Sequence, residues 1–222
     1  MKNLMQKSKA YYENSRFYEI FSEAEDYKKK VSNYLKANSL NKIVLDAGCG
    51  TGKFLNSLEI NSLKYIGIDL SKEELTIATK KSISTNSEFI NGNLTNINLE
   101  SNYVDLIVSA WVLGTILDKF DRQKALDELK RVVKNTGNII LIENAEDSEF
   151  ERIRNRDKDF RTRDYNNWVI DNGFILEKEI NTYFEFETKE MAIKTFKEIY
   201  GDEIARKIKT KKIEHKINIY KY

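Results

Sequence analysis

Short apolar runs alternate with helical stretches over the first two thirds of this chain of 222 residues, and no other feature constrains its fold as strongly. The runs are rich in β-branched residues, which is typical of strands buried on both faces. Parallel neighbours require a crossover, and the helical stretches supply it. The pattern predicts a doubly wound α/β fold, a mostly parallel sheet with helices on both faces. The predicted strands cover 42–46, 65–69, 88–91, 104–109 and 138–142.

The later part of the chain predicts additions to this sheet. Residues 174–186 resemble a strand, and the sequence KIEHKINIYKY, residues 212–222, alternates as another. We expect these two strands to add an antiparallel edge, which gives seven strands, with a helical insertion at about residues 187–209 between them. Residues 1–38 predict an N-terminal helical cap, and residues 39–222 the main domain.

Composition excludes several classes of protein. The 37 Lys and Arg nearly balance the 35 Asp and Glu, so no global field favours nucleic acid or an acidic membrane. Cys49 is the single cysteine, which leaves no disulfide framework and no multi-cysteine metal site. Nowhere do about 18 apolar residues run together, as a membrane span requires. We expect a cytoplasmic protein without a metal.

A glycine-rich loop, VLDAGCGTGKF at residues 44–54, follows the first predicted strand. A phosphate-binding P-loop would need glycine at position 47 and a hydroxyl residue at position 54, where this chain has Ala47 and Phe54. A dehydrogenase fingerprint has the spacing G-x-G-x-x-G, whereas this loop has G-x-G-x-G. Asp46 would also repel a pyrophosphate. An NAD-dependent oxidoreductase is therefore the less favoured alternative.

The acid at the strand end suits a ligand that brings a cation there, as the ammonium of an amino acid does. Amides of the glycine loop and of the following helix would favour the carboxylate of the same ligand. Asp69 ends the second predicted strand and is placed to accept both hydroxyls of a ribose, with about 1.5 to 3 kcal/mol for each charge-assisted bond. Ammonium, carboxylate and ribose together describe S-adenosylmethionine.

Ser71 and Glu74 mark the start of the helix that follows Asp69. The spacing of Ser71 and Glu74 matches a capping box, in which the serine caps the helix and the glutamate reaches back to it.

At this point the chain resembles the class I S-adenosylmethionine-dependent methyltransferases over about residues 42–145. The resemblance implies a Rossmann-like methyltransferase fold, with S-adenosyl-L-methionine as cofactor and S-adenosyl-L-homocysteine as product. The motifs that carry it are VLDAGCGTG (44–52), YIGIDLS (65–71), NGNL (91–94), YVDLIVSAWVLGTI (103–116) and RVVKNTGN (131–138).

The resemblance also implies a cofactor site. The loop residues would surround the methionine moiety, with Asp46 near its amino group. Asp69 would bind the ribose, and residues of the third and fourth motifs would border the adenine and the methyl group. The implied cofactor residues are Asp46, Ala47, Gly48, Cys49, Gly50, Asp69, Leu70, Asn93, Leu94, Ser109, Ala110 and Trp111.

Two departures from the family narrow the acceptor. Many relatives carry a histidine near the positions that Gly114 and Thr115 hold in this chain. The chain therefore lacks a histidine that could act as a base there. The chain has no proline, whereas the DNA and RNA amino-methyltransferases of the family typically carry a Pro-Pro-Tyr type motif and the cytosine-C5 enzymes a Pro-Cys nucleophile. These two routes to a nucleobase are therefore excluded, and other RNA substrates are only disfavoured. We therefore expect a small-molecule substrate and no nucleic acid. Oligomeric state is not readable from the sequence.

Methyl transfer from a sulfonium is an in-line displacement, so the protein mainly has to position the reactants, an effect of about 7 to 11 kcal/mol. Tyr11, Tyr18 and His215 are the candidate catalytic residues, each with a structural alternative. A cofactor-binding regulatory protein without catalysis stays an alternative. An aromatic or apolar metabolite is favoured by the residues expected around the acceptor, which are Tyr11, Tyr12, Phe17, Tyr18 and Phe21 of the cap and Met191, Phe196 and Tyr200 of the insertion.

Overall fold

A single sheet organises the protein, whose computed structural model describes residues 15–26 and 28–222. The strands are β1 (Ile43–Ala47), β2 (Lys64–Asp69), β3 (Ser87–Asn91), β4 (Val104–Ala110), β5 (Val133–Asn144), β6 (Ile175–Glu185) and β7 (Lys212–Lys221). The seven strands are ordered β3-β2-β1-β4-β5-β7-β6. The predicted doubly wound, seven-stranded fold is thereby confirmed.

Helices connect the strands, as the alternation predicts. Two of them, α1 (Ser15–Ala24) and α2 (Lys30–Asn38), precede β1. The others are α3 (Leu55–Glu59), α4 (Lys72–Lys81), α5 (Lys119–Val132), α6 (Glu149–Ile153), α7 (Arg156–Asp159), α8 (Arg161–Asp171), α9 (Lys189–Tyr200) and α10 (Asp202–Ala205), with a 3-10 turn at Leu113–Thr115.

The centre of the sheet is parallel and covered on both faces. Leu45 of β1 is paired in parallel with Ile66 of β2 on one side and with Ile107 of β4 on the other. Val44 and Leu45 are neighbours that point to opposite faces, and neither exposes any surface. Both faces of β1 are therefore inside the protein.

The chain changes direction across the sheet between β1 and β4. β2 and β3 extend the sheet to one side of β1, whereas β4 and β5 extend it to the other. In open α/β sheets, ligands bind at the carboxyl ends of the strands at such a switch point. This topology places the glycine loop, which follows β1, at the expected binding edge.

The fifth strand begins earlier than the predicted start at residue 138. Val133 already pairs with Val104 of β4, and the register then shifts before Asn138 pairs with Leu106. The motif at residues 131–138 thus contains an irregularity inside an extended strand. Tyr222 and Ile139 exchange two backbone hydrogen bonds, of 3.0 and 3.1 Å, which is the antiparallel pattern expected for the added edge.

The chain divides into two compact units. The first, here called the loop unit, comprises residues 31–143 and 219–222 and contains the glycine loop. The second, here called the aromatic unit, comprises the described residues up to Lys30 together with residues 144–218. The predicted boundary at residue 38 and the predicted role of residues 187–209 around the acceptor stay predictions.

Phenylalanine rings fill the core of the aromatic unit. Phe21 lies 4.7 Å from Phe184 between ring centroids, and Phe150 lies 4.8 Å from Phe184. Phe186 and Phe196 complete the cluster, with both side chains buried. The apolar contacts of these rings hold α1, α6, β6 and α9 together.

Candidate cofactor site

The glycine loop turns sharply back onto β2. Gly48, Gly50 and Gly52 have φ angles of +83°, +53° and +83°, a region that side chains disfavour. The amides of Gly48 and Cys49 both donate to the carbonyl of Ile68, at 2.8 and 3.1 Å. A Cβ on Gly48 would come within 2.4 Å of the Val112 side chain. Packing within the protein therefore requires glycine at position 48, whether or not a ligand also approaches the loop.

Asp69 ties the glycine loop to the end of β2. One carboxylate oxygen accepts the amide of Gly50 at 3.0 Å, and the other accepts the amide of Ser71 at 2.9 Å. Burial raises the pKa of Asp69, and these two amides oppose the effect. Each oxygen keeps a further lone pair, so the half-buried carboxylate can still accept two hydroxyls.

Asp46 is buried and bonded to a tyrosine that the sequence analysis did not identify. Its carboxyl accepts the hydroxyl of Tyr65 at 2.9 Å, and only 3% of the residue is exposed. Burial raises the pKa of Asp46 to about 7; the bond from Tyr65 lowers it and the nearby Asp69 raises it. A Cβ on Gly67 would lie 3.2 Å from the Tyr65 ring, so the missing side chain makes room for that ring. In the sequence, the glycine two residues after Tyr65 is the feature from which this arrangement could have been predicted.

Three carboxyl groups surround the loop. Burial raises the pKa of the Cys49 thiol, and the charges of Asp46, Asp69 and Glu74 raise it further. Such a negative environment disfavours a pyrophosphate and favours a ligand with positive charge. The raised pKa of the buried thiol disfavours the thiolate, which is the nucleophilic form of cysteine.

An aromatic pair lies between the glycine loop and the end of β4. Trp111 has φ +56° and donates its amide to Ile142 at 2.9 Å. Its ring stacks on Phe54 with centroids 6.0 Å apart, and the ammonium of Lys53 lies 5.1 Å from the centroid of the Trp111 ring. Lys53 and Phe54 follow the glycines directly, but their partner Trp111 lies after a distant strand, so no local pattern predicts the contact.

The remaining predicted cofactor residues lie at the same carboxyl edge. The hydroxyl of Ser109 is buried and donates to the carbonyl of Ala47 at 3.1 Å, which links β4 to β1. Asn93 accepts the amide of Thr95 at 3.0 Å, so its side-chain oxygen holds a turn. Leu94 is buried, Ala110 is half-buried, and Leu70 is exposed.

Asn91 is a residue that the sequence analysis missed. Its amide donates to the carbonyls of Asp69 and Leu70, at 3.1 and 2.8 Å. These bonds fix the end of β2 beside Asp69. Asn91 stands first in the NGNL motif, which was the available signal.

The candidate catalytic residues lie in the aromatic unit or outside the described residues. Tyr11 and Tyr12 belong to the part of the chain that is not described. Tyr18 is half-buried on α1. His215 exposes no surface and lies against the rings of Phe150 and Phe184, each with centroids 4.9 Å away.

Polar side chains lie beside the imidazole of His215. Its Nε2 lies 2.9 Å from the side-chain oxygen of Asn144, and its Nδ1 lies 3.2 Å from Glu25. The geometry is that of a buried polar cluster inside an aromatic core.

The residues predicted around the acceptor differ in burial. Phe21 and Phe196 are buried in the aromatic core. Phe17, Met191 and Tyr200 are half-buried. Both rings contribute to the packing of that core, and the position of these residues around the acceptor stays a prediction.

Within residues 15–26 and 28–222, no group of three or more His, Cys, Asp or Glu side chains could hold a metal ion. No helix in this described part of the chain is long and apolar enough to cross a bilayer.

The fold and the loop together define a class of protein, an α/β domain whose acid-lined glycine loop lies at the switch point of a parallel sheet. Residues 45–141 match the family described as "Methyltransferase domain". Through this region the chain belongs to the class I S-adenosylmethionine-dependent methyltransferase family. The cofactor of the family is S-adenosylmethionine, and the carboxylates of Asp46 and Asp69 fit its ammonium and its ribose.

Two curated relatives show the same region of similarity. The ubiquinone/menaquinone biosynthesis C-methyltransferase UbiE of Campylobacter jejuni is 32% identical over 107 residues, which are 45% of this chain and 43% of that protein. The tRNA (carboxymethyluridine(34)-5-O)-methyltransferase of Arabidopsis thaliana is 32% identical over 113 residues, 50% of this chain and 26% of that protein. The chain thus matches less than half the length of either relative.

Among solved structures, the YcgJ protein of Bacillus subtilis has a similar fold. The TM-score is 0.59 at 18% sequence identity, and the alignment covers 85% of this chain and 94% of that protein. At this level of identity the similarity shows the fold alone.

Proposed function

We propose that the protein is a methyltransferase that moves the methyl group of S-adenosylmethionine to a small-molecule acceptor by in-line displacement. The observation that carries the proposal is the position of Asp69, which joins the Gly50 loop to β2 and keeps lone pairs for a ribose. The sequence predicts a reducing, cytoplasmic setting for this activity.

The bound cofactor supplies an activated methyl group on a sulfonium. The residues of the loop unit hold it. Asp46 takes the ammonium, and amides of the glycine loop face the carboxylate. Asp69 accepts the ribose hydroxyls, while Leu70 and Asn93 border the adenine. Their role is to bind and orient, because the leaving group needs no further activation.

The end of β4 supports an acceptor with a planar apolar part. The Trp111 ring is half-buried at the carboxyl edge of the sheet, where ligands of this fold class bind. Its left-handed backbone and its amide bond to β5 hold the ring in a fixed place. A flat metabolite can stack on such a ring. The name of UbiE, a C-methyltransferase of quinone biosynthesis, agrees with an acceptor of this kind.

Transfer RNA is the second candidate, because one relative is named as a tRNA methyltransferase. Charge favours the small molecule. The formal net charge is only +2, and the basic segment 206–216 is partly neutralised. Lys211 and Lys212 lie 4.0 and 3.9 Å from Glu185. Phosphate binding needs a cluster of cations, and the carboxylate of Glu185 beside these two lysines weakens their attraction for phosphate.

Transfer of labelled methyl from S-adenosylmethionine tests the proposal. The purified protein is incubated separately with a low-molecular-weight metabolite extract and with total tRNA. We expect label in the metabolite fraction and production of S-adenosylhomocysteine. Label in tRNA alone would replace the small-molecule acceptor by the second candidate. Tight cofactor binding without any transfer would support the regulatory alternative.

Asp69→Ala is the matched binding variant for this assay. We expect it to weaken cofactor binding about tenfold or more, as the loss of a charge-assisted hydrogen bond implies. Asp127→Ala is the control. Asp127 is an exposed residue of α5, and its carboxylate accepts a hydrogen bond from Gln123 on the same helix. Stabilisation of the protein by NAD but not by S-adenosylhomocysteine would instead favour the oxidoreductase alternative.

A further inference from the structure

A cavity of about 120 Å³ lies in the aromatic unit, in the stretch of chain that follows β5. Its wall carries charges of both signs. The carboxyl groups of Glu146 and Asp147 come from the loop after β5, and the guanidinium groups of Arg156 and Arg163 come from the first turns of α7 and α8. Pockets for drug-sized ligands occupy about 300–1,000 Å³, so this cavity suits a smaller molecule with charged groups.

A buried carboxyl group holds the wall of the cavity in place. Glu151 of α6 exposes 1% of its surface and also lines the cavity. It accepts the hydroxyl of Thr162 at 2.5 Å and forms an ion pair with Arg154. The charge of Glu151 is thus compensated within the protein, and the bond from Thr162 joins α6 to α8. These bonds fix the cavity wall without a ligand.

Phe160 lines the cavity in a backbone conformation that bulky residues rarely adopt. Its φ angle is +53°, in the left-handed region. The residue exposes 50% of its surface, and the guanidinium of Arg163 lies 4.2 Å from the centroid of its ring. Strained backbone of this kind is found at ligand sites, where the surrounding structure maintains it. Phe160 and Arg163 together form an apolar and positive side of the cavity.

Glu146 lies on the negative side of the cavity. Burial raises the pKa of its carboxyl group, and the charges of Asp147, Asp164 and Glu151 raise it further, while Arg163 lowers it. Acids thus outnumber cations around Glu146. A cationic group would be attracted to this place.

The opposite charge is available on Arg163. Its guanidinium lies 3.6 Å from Asp164, and both side chains are exposed. Exposed ion pairs contribute little to stability, so the guanidinium can exchange Asp164 for the carboxylate of a ligand. A guanidinium also has several N–H donors in one plane, which suits a carboxylate.

We propose that the cavity binds a small zwitterion of the amino-acid type, with its ammonium at Glu146 and its carboxylate at Arg163. A simple cation would leave the guanidinium side unused, and a simple anion would meet the repulsion of the carboxyl groups. A molecule with both charges matches both sides. The site goes beyond the proposed function, because its residues belong to the aromatic unit, whereas Asp46 and Asp69 belong to the loop unit.

The amino-acid group of S-adenosylmethionine is also such a zwitterion, so the test has to separate it from a free amino acid. Glycine is titrated into the protein with and without saturating S-adenosylhomocysteine, and the amide NMR signals of residues 146–163 are followed. We expect the same saturable shifts in both series. Glycine binding that S-adenosylhomocysteine abolishes would assign the cavity to the cofactor and overturn a separate site.

Half-ligands and matched variants test the charge pattern. Acetate and ethylammonium each keep one of the two charge-assisted bonds, so each should bind at least about tenfold more weakly than glycine. Glu146→Gln and Arg163→Gln should each weaken glycine binding about tenfold, for the same reason. Glu190→Gln is the control, because Glu190 is an exposed glutamate of α9 in the same unit. It should leave the glycine affinity unchanged.

The remaining outcomes are decisive. Ethylammonium that binds as tightly as glycine would overturn the zwitterion. No glycine binding, or an affinity unchanged in both cavity variants, would overturn the site. Circular dichroism checks the folding of each variant, and the exposed position of Glu146 keeps Glu146→Gln informative where Arg163→Gln does not fold. Failure to bind S-adenosylhomocysteine would overturn the proposed function alone, since glycine is also titrated without it.

Discussion

Asp46 of β1 and Tyr65 of β2 form a buried hydrogen-bonded pair, with 2.9 Å between the carboxyl and the hydroxyl. The hydrogen bond joins Asp46, near the end of β1, to Tyr65, near the start of β2. Tyr65 exposes 1% of its surface, so its hydroxyl has little access to water. Burial also raises the pKa of Tyr65, which keeps it a donor. The proton state of Asp46 is thus coupled to the stability of the fold and, in the proposed function, to the binding of the cofactor.

Asp46 should make the free protein less stable as the pH rises. Its pKa is about 7 in the folded state and 3.8 ordinarily, so the folded protein holds the proton more tightly than the unfolded chain. The stabilisation is complete below about pH 4 and is lost as the pH rises through about 7. Relative to Asp46→Asn, the free energy of unfolding should fall by on the order of 1–4 kcal/mol between pH 4 and pH 8. Urea denaturation of both proteins measures this difference. Parallel pH profiles would contradict the assignment.

Cofactor affinity should have the opposite dependence on pH. Only the ionised form of Asp46 attracts the ammonium, so between about pH 5.5 and pH 7 each unit should strengthen S-adenosylhomocysteine binding up to tenfold. Below pH 7, binding should release a proton from Asp46. Calorimetry in two buffers of different ionisation enthalpy counts the released protons. In Asp46→Asn the affinity should be lower and independent of pH over this range. The same proton release in that variant would assign it to another group.

The loop geometry predicts a steric conflict between Gly48 and the end of β4. Gly48→Ala would place a methyl group 2.4 Å from Val112 and would force alanine to a φ of +83°. We expect a loss of about 2–4 kcal/mol in the free energy of unfolding, from the backbone and the clash together. Val112→Ala should relieve the clash but not the backbone strain. The double variant should therefore be more stable than the sum of the single losses, by about 1 kcal/mol. Strict additivity, measured by urea denaturation, would show that Val112 does not set the loop.

Local patterns predicted the frame of the fold well. The apolar runs located β1, β2 and β4, and Ser71 located the start of α4. Burial of a strand and capping of a helix depend on residues that are close in the sequence, so local patterns predict them. Contacts between distant segments were missed. The bond from Tyr65 to Asp46 depends on the register of two strands and on the absent side chain of Gly67.

The direction of the Glu74 side chain was not predicted. In a capping box it would accept the backbone amide of Ser71, but that amide donates to Asp69, the last residue of β2. The burial of residue 215 is easier to predict from the sequence. Its place between Ile213 and Ile217 follows the inward positions of β7, and all three are buried. The alternation therefore predicts burial for His215, which fits the structural alternative to a catalytic role. What the pattern could not supply was the identity of its partners, Glu25 and Asn144.

The partners of His215 predict a structural rather than a catalytic role. His215→Phe would leave the buried carboxyl of Glu25 without the imidazole that lies 3.2 Å from it. We expect a loss of about 3 kcal/mol or more in the free energy of unfolding, the usual result of removing one member of a buried pair. Removing both polar groups, in His215→Phe with Glu25→Leu, should recover much of this loss, because no buried charge is left unpaired. Urea denaturation of the single and double variants measures the recovery.

Kinetics then separate the two roles of His215. The stabilised double variant should transfer methyl groups at the rate of the unaltered protein, with an unchanged pH profile, if the imidazole only fills the core between Phe150 and Phe184. A general base would leave a different signature. The fully folded double variant would then lose about a hundredfold or more in rate, and the limb of the pH profile that reports imidazole ionisation would disappear. Because the double variant is folded in both cases, the rate and the profile report chemistry and not stability.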